Sequence, residues 1–313
     1  MWIKNLPENK ELLSKRITVK LIILIVLICL IIMILAFRNP RHSYPSPGRY
    51  DLSINVDGRV RNYAIHIPTS YDSITPLPLV IVLHGYGGNP RSMESATSLS
   101  LKADKEGFIV IYPEGISLDF SWNAGFCCGQ AALNNIDDIA FIRRLIEKTM
   151  EDLKIDPKRI YAVGFSNGGM MSHRLGAELF EFFAAIAVVA GSIGKTHNGS
   201  LTLSPPSRAV SVIIIHGMRD EIIPYAGGRF PSEYFLSSVK ESVHFWVQAN
   251  NCSKTPLIEE SPGGNVIKTT YSQGINNTEV ILYTIKDGTH SWSFNGISTT
   301  NTIWEFFEGH PKP

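Results

Sequence analysis

The stretch Ile160-Tyr161-Ala162-Val163-Gly164-Phe165-Ser166-Asn167-Gly168-Gly169 decides the fold class of this chain. It begins with an apolar run that is typical of a buried strand, and residues 167–180 have the apolar spacing of a helix. A serine between a strand and a helix lies on a sharp turn, where the backbone passes close to itself, and Gly164 and Gly168 supply the small neighbours that this turn needs. The stretch therefore predicts a strand–serine–helix unit with Ser166 as a candidate nucleophile.

Further strands and helices alternate along the chain on both sides of this unit. The predicted strands are residues 79–83, 108–112, 160–165, 185–189, 212–216 and 280–285. The predicted helices are residues 139–153, 167–180, 231–248 and 302–307. Because these strands are apolar throughout, they should be buried on both faces of a mostly parallel, doubly wound α/β sheet. Asp57-Gly58 lies between two further strand patterns and predicts an antiparallel N-terminal hairpin with a type I′ turn.

The composition is that of an ordinary globular protein. Apolar residues make up 44% of the 313 residues and charged residues 18%, which excludes a disordered or fibrous chain. The 29 Lys and Arg nearly balance the 28 Asp and Glu, so the chain lacks the basic character of a nucleic-acid-binding protein. We therefore predict no nucleic-acid partner.

An uncharged apolar run occupies residues 21–37. As a helix it would span about 25 Å, against ~30 Å for the hydrocarbon core of a bilayer. It exceeds a usual signal-peptide core and no small-residue cleavage site follows it, so it predicts a transmembrane signal anchor, with a cleaved signal peptide as the alternative. More basic residues precede the run than follow it, which predicts that residues 1–20 form a short cytoplasmic tail and that the rest of the chain is exported. Residues 38–49 then form a Pro-rich tether, and residues 50–313 form one catalytic domain.

A serine nucleophile needs a base that takes its proton. In sheets of this kind the nucleophile, the acid and the histidine follow one another in that chain order. His290 is the predicted base, because it lies in a turn directly after the strand at residues 280–285. His244 falls within a predicted helix and His310 lies near the end of the sequence, so both are weaker candidates.

The base must be held by an acid, and an oxyanion needs two backbone N–H donors. Asp220 follows the strand at residues 212–216 and is the predicted acid, with the adjacent Glu221 as the alternative. Asn167 directly follows the nucleophile and should supply one N–H. Tyr86, in a glycine-rich loop after the strand at residues 79–83, should supply the other.

Six motifs carry a family resemblance. They are His84-Gly85-Tyr86-Gly87-Gly88, Tyr112-Pro113-Glu114-Gly115, Ser121-Trp122-Asn123-Ala124-Gly125 with Cys127-Cys128-Gly129, Asp137-Asp138, the serine motif at residues 164–169, and His216-Gly217 with Asp220 and Pro224-Tyr225. In this order they resemble the esterase/polyhydroxybutyrate depolymerase family, which also contains feruloyl and acetyl xylan esterases. The resemblance implies an α/β-hydrolase fold and the triad Ser166, Asp220 and His290. The chain departs from the family pattern at Met218 and Arg219, where a small residue and alanine are usual.

The resemblance also implies an activity. Together with the predicted signal anchor, it predicts a membrane-tethered, exported serine esterase that works through an acyl-enzyme without a metal or other cofactor. The expected substrates are feruloyl or acetyl esters of polysaccharides, hydroxyalkanoate oligomers or short-chain esters. Trp122 and Trp292 are candidate contacts for a sugar or aryl group, with core packing as the alternative. An acyltransferase or peptidase of the same fold remains open, as does a catalytically inactive, surface-anchored binding protein.

Three cysteines follow the apolar run, and export would permit a disulfide among them. Cys127, Cys128 and Cys252 allow three single pairings, which the sequence does not distinguish. We favour a bond between Cys252 and one of the adjacent pair, with reduced, buried cysteines as the alternative.

Overall fold

The computed structural model describes residues 8–36, 44, 46–116, 118–230 and 234–313. The chain divides into two units, Met1–His42 and Ser43–Pro313. The described part of the first unit is one helix, α1 (Glu8–Ala36). No helix within the described ranges is long and apolar enough to cross a membrane, so the signal anchor predicted at residues 21–37 is not supported. Residues 1–7 of the predicted tail, residue 37, and residues 38–43 and 45 of the predicted tether lie outside the described residues.

The predicted tether at residues 38–49 ends inside the folded second unit. The ring of Tyr44 packs edge-on against that of Tyr50, with ring centroids 5.2 Å apart. Arg49 Nε donates to Glu94 Oε2 at 2.7 Å. These contacts cross the predicted boundary, so the folded unit begins before residue 50.

The second unit is built on a large mixed sheet. Its strands and those of a small second sheet are β1 (Gly48–Val56), β2 (Arg59–Ile67), β3 (Leu77–Leu83), β4 (Ile109–Pro113), β5 (Ile155–Phe165), β6 (Ala185–Val189), β7 (Gly194–Lys195), β8 (Ser211–Gly217), β9 (Gly228–Phe230), β10 (Tyr234–Leu236), β11 (Leu257–Glu260), β12 (Val266–Tyr271) and β13 (Val280–Ile285). The large sheet has the order β1-β2-β4-β3-β5-β6-β8-β13-β12-β11, and β7, β10 and β9 form the small one. The strands from β4 to β13 in this order are parallel to one another, which confirms the predicted, mostly parallel α/β sheet.

An antiparallel hairpin lies at each edge of the large sheet. Val56 pairs with Arg59 in the first hairpin, which leaves Asp57 and Gly58 as a two-residue turn. Their φ angles of 49° and 80° are both positive, as the predicted type I′ turn requires. The second hairpin, β11–β12, was not predicted, because the side chains of β11 are all exposed and form no buried apolar run.

The helices of the second unit connect these strands. They are α2 (Pro90–Thr97), α3 (Leu99–Glu106), α4 (Gly129–Leu133), α5 (Asp138–Asp152), α6 (Asn167–Glu178), α7 (Val239–Ala249) and α8 (Thr299–Gly309), with a short 3₁₀ turn at Ile275–Asn277. The helix predicted at residues 231–248 begins later, at Val239. Ser238 Oγ accepts the backbone N–H of Glu241, and the Glu241 carboxylate accepts the backbone N–H of Ser238. This capping box sets the start of α7.

Two apolar layers cover the faces of the sheet. Along β3, Leu79 and Ile81 face the layer that contains α5, α6 and α7, whereas Val80 and Val82 face the layer of α2, α3 and α8. This alternation follows from the two-residue period of a strand. Because the central strands are parallel, their carboxyl ends meet at one edge of the sheet, where β5, β8 and β13 end next to the candidate site.

Candidate active site

Ser166 lies on the turn that the sequence predicted, between β5 and the first residue of α6. Its backbone has φ 55° and ψ −120°, a conformation that is costly for a residue with a side chain. A Cβ on Gly164 would overlap the backbone of Gly168, and a Cβ on Gly168 would overlap the carbonyl groups of Leu83 and His84. The two glycines therefore let the turn close against the end of β3.

The structure brings Ser166, His290 and Asp220 together as one hydrogen-bonded chain. Ser166 Oγ lies 2.9 Å from His290 Nε2. On the other side of the ring, His290 Nδ1 lies 2.8 Å from Asp220 Oδ2. Since a carboxylate only accepts, Nδ1 carries the hydrogen and Nε2 is left to accept from the serine hydroxyl. This arrangement can remove a proton from Ser166 as it attacks a carbonyl carbon.

The carboxylate of Asp220 is buried and held at both oxygens. Oδ1 accepts the backbone N–H groups of Ile222 at 2.9 Å and Ile223 at 2.8 Å. Oδ2 is shared by His290 and by His216 Nε2, which lies 3.3 Å away. Burial alone would raise the pKa of Asp220, but the hydrogen bonds from His216, His290 and the Ile223 N–H outweigh it and hold the pKa well below its usual range. Asp220 is therefore ionised wherever a histidine can act as a base.

The alternative candidates for the acid and the base lie outside this hydrogen-bonded chain. Glu221 and His244 are exposed. His310 contacts the carbonyl of Phe306 at 2.6 Å and Glu279 at 3.2 Å, in the region of the C-terminal helix. None of the three takes part in the hydrogen-bonded chain at Ser166.

The glycine-rich loop at residues 84–88 lies against the serine turn. A Cβ on Gly85 would be only 3.4 Å from the Cβ of Ser166. The N–H of Asn167 has no acceptor within its own helix, because it is the first residue of α6. Tyr86 and Asn167 line the same cavity as Ser166, so their backbone N–H groups are candidates to bind an oxyanion there.

His84 fixes this loop, a role that sequence reasoning missed. Its Nε2 accepts the N–H of Gly115 at 2.8 Å, so its hydrogen is on Nδ1, which donates to the Gly85 carbonyl at 2.7 Å. Burial lowers the pKa of His84 to about 4. The ring is therefore neutral near pH 7. A histidine directly after a buried strand was the available signal, but position alone does not reveal its partners.

The two tryptophans do not line the cavity at Ser166. Trp122 is wholly buried, and its indole N–H donates to the His84 carbonyl at 2.9 Å. Trp292 is also buried, and its indole N–H lies 3.2 Å from Thr300 Oγ1. The predicted contact of Trp122 and Trp292 with substrate is therefore not supported, because both rings serve as packing.

A cavity of about 550 Å³ opens onto the serine. Its lining is mainly apolar and comes from several loops: Gly85, Tyr86, Cys128, Gly129, Phe165, Ser166, Asn167, Met170, Ile222, Tyr234 and His290. Sequence reasoning missed Met170, Ile222 and Tyr234, because nothing in their local pattern separates a cavity wall from ordinary core or surface. The cavity can hold a small acyl or aryl group against the nucleophile.

The cysteines pair differently from the favoured prediction. Cys127 and Cys128 are joined to each other, and both sulfur atoms lie near Met170 Sδ beside the cavity. Cys252 is a free, buried thiol whose Sγ lies 3.6 Å from the Thr278 carbonyl oxygen. The predicted bond to Cys252 is wrong, because its thiol is directed into the core beside α7.

Comparisons with known proteins identify the family of this chain. A family model described as phospholipase/carboxylesterase matches residues 73–251. The putative esterase NocK of Nocardia uniformis subsp. tsuyamanensis is 28% identical over 259 residues, and the match covers 76% of this chain and 72% of the length of NocK. Feruloyl esterase C of Emericella nidulans is 28% identical over 289 residues, covering 88% of this chain and 96% of its own.

The fold has close counterparts among solved structures. The acetyl xylan esterase from Aspergillus awamori superposes with a TM-score of 0.62 at 17% identity, over 83% of this chain and 99% of that chain. At this identity the match speaks for the fold alone. Together with the family model, it confirms the predicted α/β-hydrolase fold. The sequence match to feruloyl esterase C confirms the predicted resemblance to feruloyl esterases. The chain therefore belongs to the phospholipase/carboxylesterase family of α/β hydrolases and is a carboxylic ester hydrolase.

Proposed function

We propose that this hydrolase is a serine esterase that forms an acyl-enzyme on Ser166. The observation that carries the proposal is the hydrogen-bonded chain from Ser166 through His290 to Asp220, with distances of 2.9 and 2.8 Å, at the wall of an apolar cavity. Such a chain supplies the base and the acid that a serine hydroxyl needs.

The reaction runs in two halves. Ser166 Oγ attacks the ester carbonyl carbon while His290 Nε2 takes the hydroxyl proton, and the backbone N–H groups of Asn167 and Tyr86 bind the oxyanion. The C–O bond to the alcohol then breaks, and His290 returns its proton to the leaving oxygen. Water repeats the sequence on the acyl-enzyme, releases the acid and restores Ser166. Asp220 stays ionised and holds the imidazole throughout.

The proposed substrates are carboxylic esters with a small or aryl acyl group. Feruloyl or acetyl esters of polysaccharides stand first, because feruloyl esterase C and an acetyl xylan esterase are among the similar proteins. Hydroxyalkanoate oligomers and short-chain esters also fit a mainly apolar cavity of about 550 Å³. We further propose that the catalytic unit works outside the cytoplasm, since the bond between Cys127 and Cys128 would persist in an oxidising compartment.

Covalent labelling tests the mechanism. A serine-directed phosphonate should add to Ser166 in the purified protein and abolish ester hydrolysis, and peptide mapping should locate the adduct. Label on another serine, or hydrolysis that survives full labelling, would contradict the proposed nucleophile. No label at all would instead favour an inactive binding protein.

A substrate panel then tests the acyl group. It contains p-nitrophenyl esters of increasing chain length, methyl ferulate, acetylated xylan and hydroxybutyrate oligomers. We expect methyl ferulate or acetylated xylan to give the highest kcat/KM. A clear preference for the oligomers would overturn this ranking without affecting the mechanism.

A further inference from the structure

His216 is wholly buried near the end of β8, four residues before the proposed acid. Its Nε2 lies 2.8 Å from the carbonyl oxygen of Ile223 and 3.3 Å from Asp220 Oδ2. A carbonyl oxygen can only accept, so Nε2 carries a hydrogen. The same N–H therefore donates to the Ile223 carbonyl and lies next to Asp220 Oδ2.

This N–H lies next to Asp220 Oδ2, the carboxylate oxygen that is hydrogen-bonded to His290. Backbone N–H groups of Ile222 and Ile223 bind Oδ1, which leaves Oδ2 to orient His290. The position of Oδ2 depends on the torsion of the carboxylate about its bond to Cβ, and His216 Nε2 contacts Oδ2 in addition to His290.

The imidazole of His216 is itself held in place. The ring of Tyr225 packs edge-on against it, with centroids 5.8 Å apart and planes at 85°. His216 is not among the residues that line the cavity at Ser166, so it does not contact substrate there. Its contacts are thus those of a supporting group and not of a reacting one.

We propose that His216 is a positioning residue, which holds the Asp220 carboxylate in the orientation that its hydrogen bond to His290 requires. The inference rests on the proposed function, in which Asp220 and His290 serve Ser166. It assigns His216 a role in the rate of acyl transfer and none in substrate binding.

A pair of variants tests this role. His216→Phe removes the donor, and we expect kcat to fall on the order of 10²-fold with KM little changed, because small misplacements of catalytic groups have effects of this size. His216→Gln keeps an N–H near the position of Nε2, and its kcat should lie about tenfold above that of the Phe variant, as expected for one hydrogen bond to a charged group. Proton NMR supplies a readout besides activity: the downfield resonance of His290 Nδ1–H should shift in the Phe variant and return in the Gln variant.

Matched controls separate positioning from simple loss of stability. Lys148→Met on α5 removes the ion-pair partner of the buried Asp152 carboxylate, and neither residue belongs to the site at Ser166, so this variant should lower Tm and leave kcat unchanged. If His216→Phe does not fold, His216→Asn replaces it, because the shorter amide stays polar but cannot reach Oδ2.

Two outcomes would overturn the inference. One is wild-type kcat in the variants that lack the donor, and the other is a His290 resonance that does not move. Ser166→Ala is measured in parallel. An active Ser166→Ala variant would contradict the proposed function, whereas an inactive one beside a fully active His216→Phe variant would contradict only the role of His216.

Discussion

The side-chain amide of Asn167 pairs with both backbone groups of Trp122. Its Oδ1 accepts the Trp122 N–H at 2.8 Å, and its Nδ2 donates to the Trp122 carbonyl at 3.0 Å. The backbone N–H of the same asparagine is a proposed oxyanion donor. One residue therefore joins the serine turn to a fully buried tryptophan, which makes the position of that donor depend on the core.

We expect Asn167→Ala to lower activity although it keeps the backbone N–H. The change leaves the buried N–H of Trp122 without a partner, at a cost of about 1–3 kcal/mol, and leaves its carbonyl with only the Cys128 N–H at 3.2 Å. The loop should relax, and kcat should fall by about one to two orders of magnitude, with a fall in Tm. Steady-state kinetics and thermal unfolding measure the two effects. Asn134→Ala on the exposed surface is the control, and an Asn167→Ala variant that matched it in kcat would contradict the coupling.

Ser166→Ala and His290→Ala should each abolish ester hydrolysis while leaving the fold intact. Because the two side chains act in one proton transfer across 2.9 Å, the double variant should be scarcely slower than either single variant. Rates on a p-nitrophenyl ester, with circular dichroism as a check on folding, measure this. Multiplicative losses would show that the two residues act in separate steps.

Asp220→Asn should reduce kcat on the order of 10⁴-fold, because an amide cannot hold His290 in the required tautomer. Glu221→Gln is the matched control, since it neutralises the adjacent but exposed carboxylate. Its kcat should equal that of the wild type. A larger loss at Glu221 than at Asp220 would reverse the assignment of the acid.

The central sheet could be predicted because each of its parallel strands contains a near-continuous apolar run. The edge strand β11 carries no such signal. Every side chain of β11 is exposed, so nothing in its composition distinguishes it from a loop, and it becomes a strand only by pairing with β12. The predicted start of α7 lies too early, although Ser238 and Glu241 have the spacing of a capping box, which is a signal that the sequence carries.

The three residues of the hydrogen-bonded chain could be predicted from their positions just after predicted strands. Their supporting groups could not. His84 directly follows the buried strand β3, and His216 lies near the end of the buried strand β8. Only the tertiary structure shows that His84 holds the glycine-rich loop and that His216 contacts Asp220. Trp122 was open to two interpretations for the same reason, since an aromatic residue in a loop can face solvent or core.

Cys252 should be unreactive in the folded protein. Burial, followed by the nearby charge of Glu279, raises the pKa of its thiol to about 11, so little thiolate forms at pH 8. Iodoacetamide should modify it only after unfolding in guanidinium, as measured by mass spectrometry in a Cys29→Ser background that removes the exposed thiol. The non-reduced peptide map should show Cys127 bonded to Cys128. Rapid native labelling of Cys252, or a bond to it, would contradict the observed arrangement.

The stability of the folded protein should fall between pH 7 and pH 4, in part because of His84. Burial lowers the pKa of His84 to about 4, whereas an imidazole in the unfolded chain titrates near 6.5. Between these values the unfolded state binds the proton more readily, so the contribution of His84 is full above about pH 6.5 and is lost as the pH falls to about 4. The shift corresponds to a free energy on the order of 3 kcal/mol.

Urea unfolding at intervals from pH 7.5 to pH 4.5 measures this effect. The wild type should lose stability steeply below pH 6.5, and His84→Gln should show a shallower slope, because it removes one group that takes up a proton on unfolding. His197→Gln replaces an exposed histidine and should keep the slope of the wild type. Parallel slopes in the wild type and His84→Gln would mean that the His84 ring accepts a proton in the folded protein. Its hydrogen bond from Gly115, which requires an unprotonated Nε2, would then be broken within this pH range.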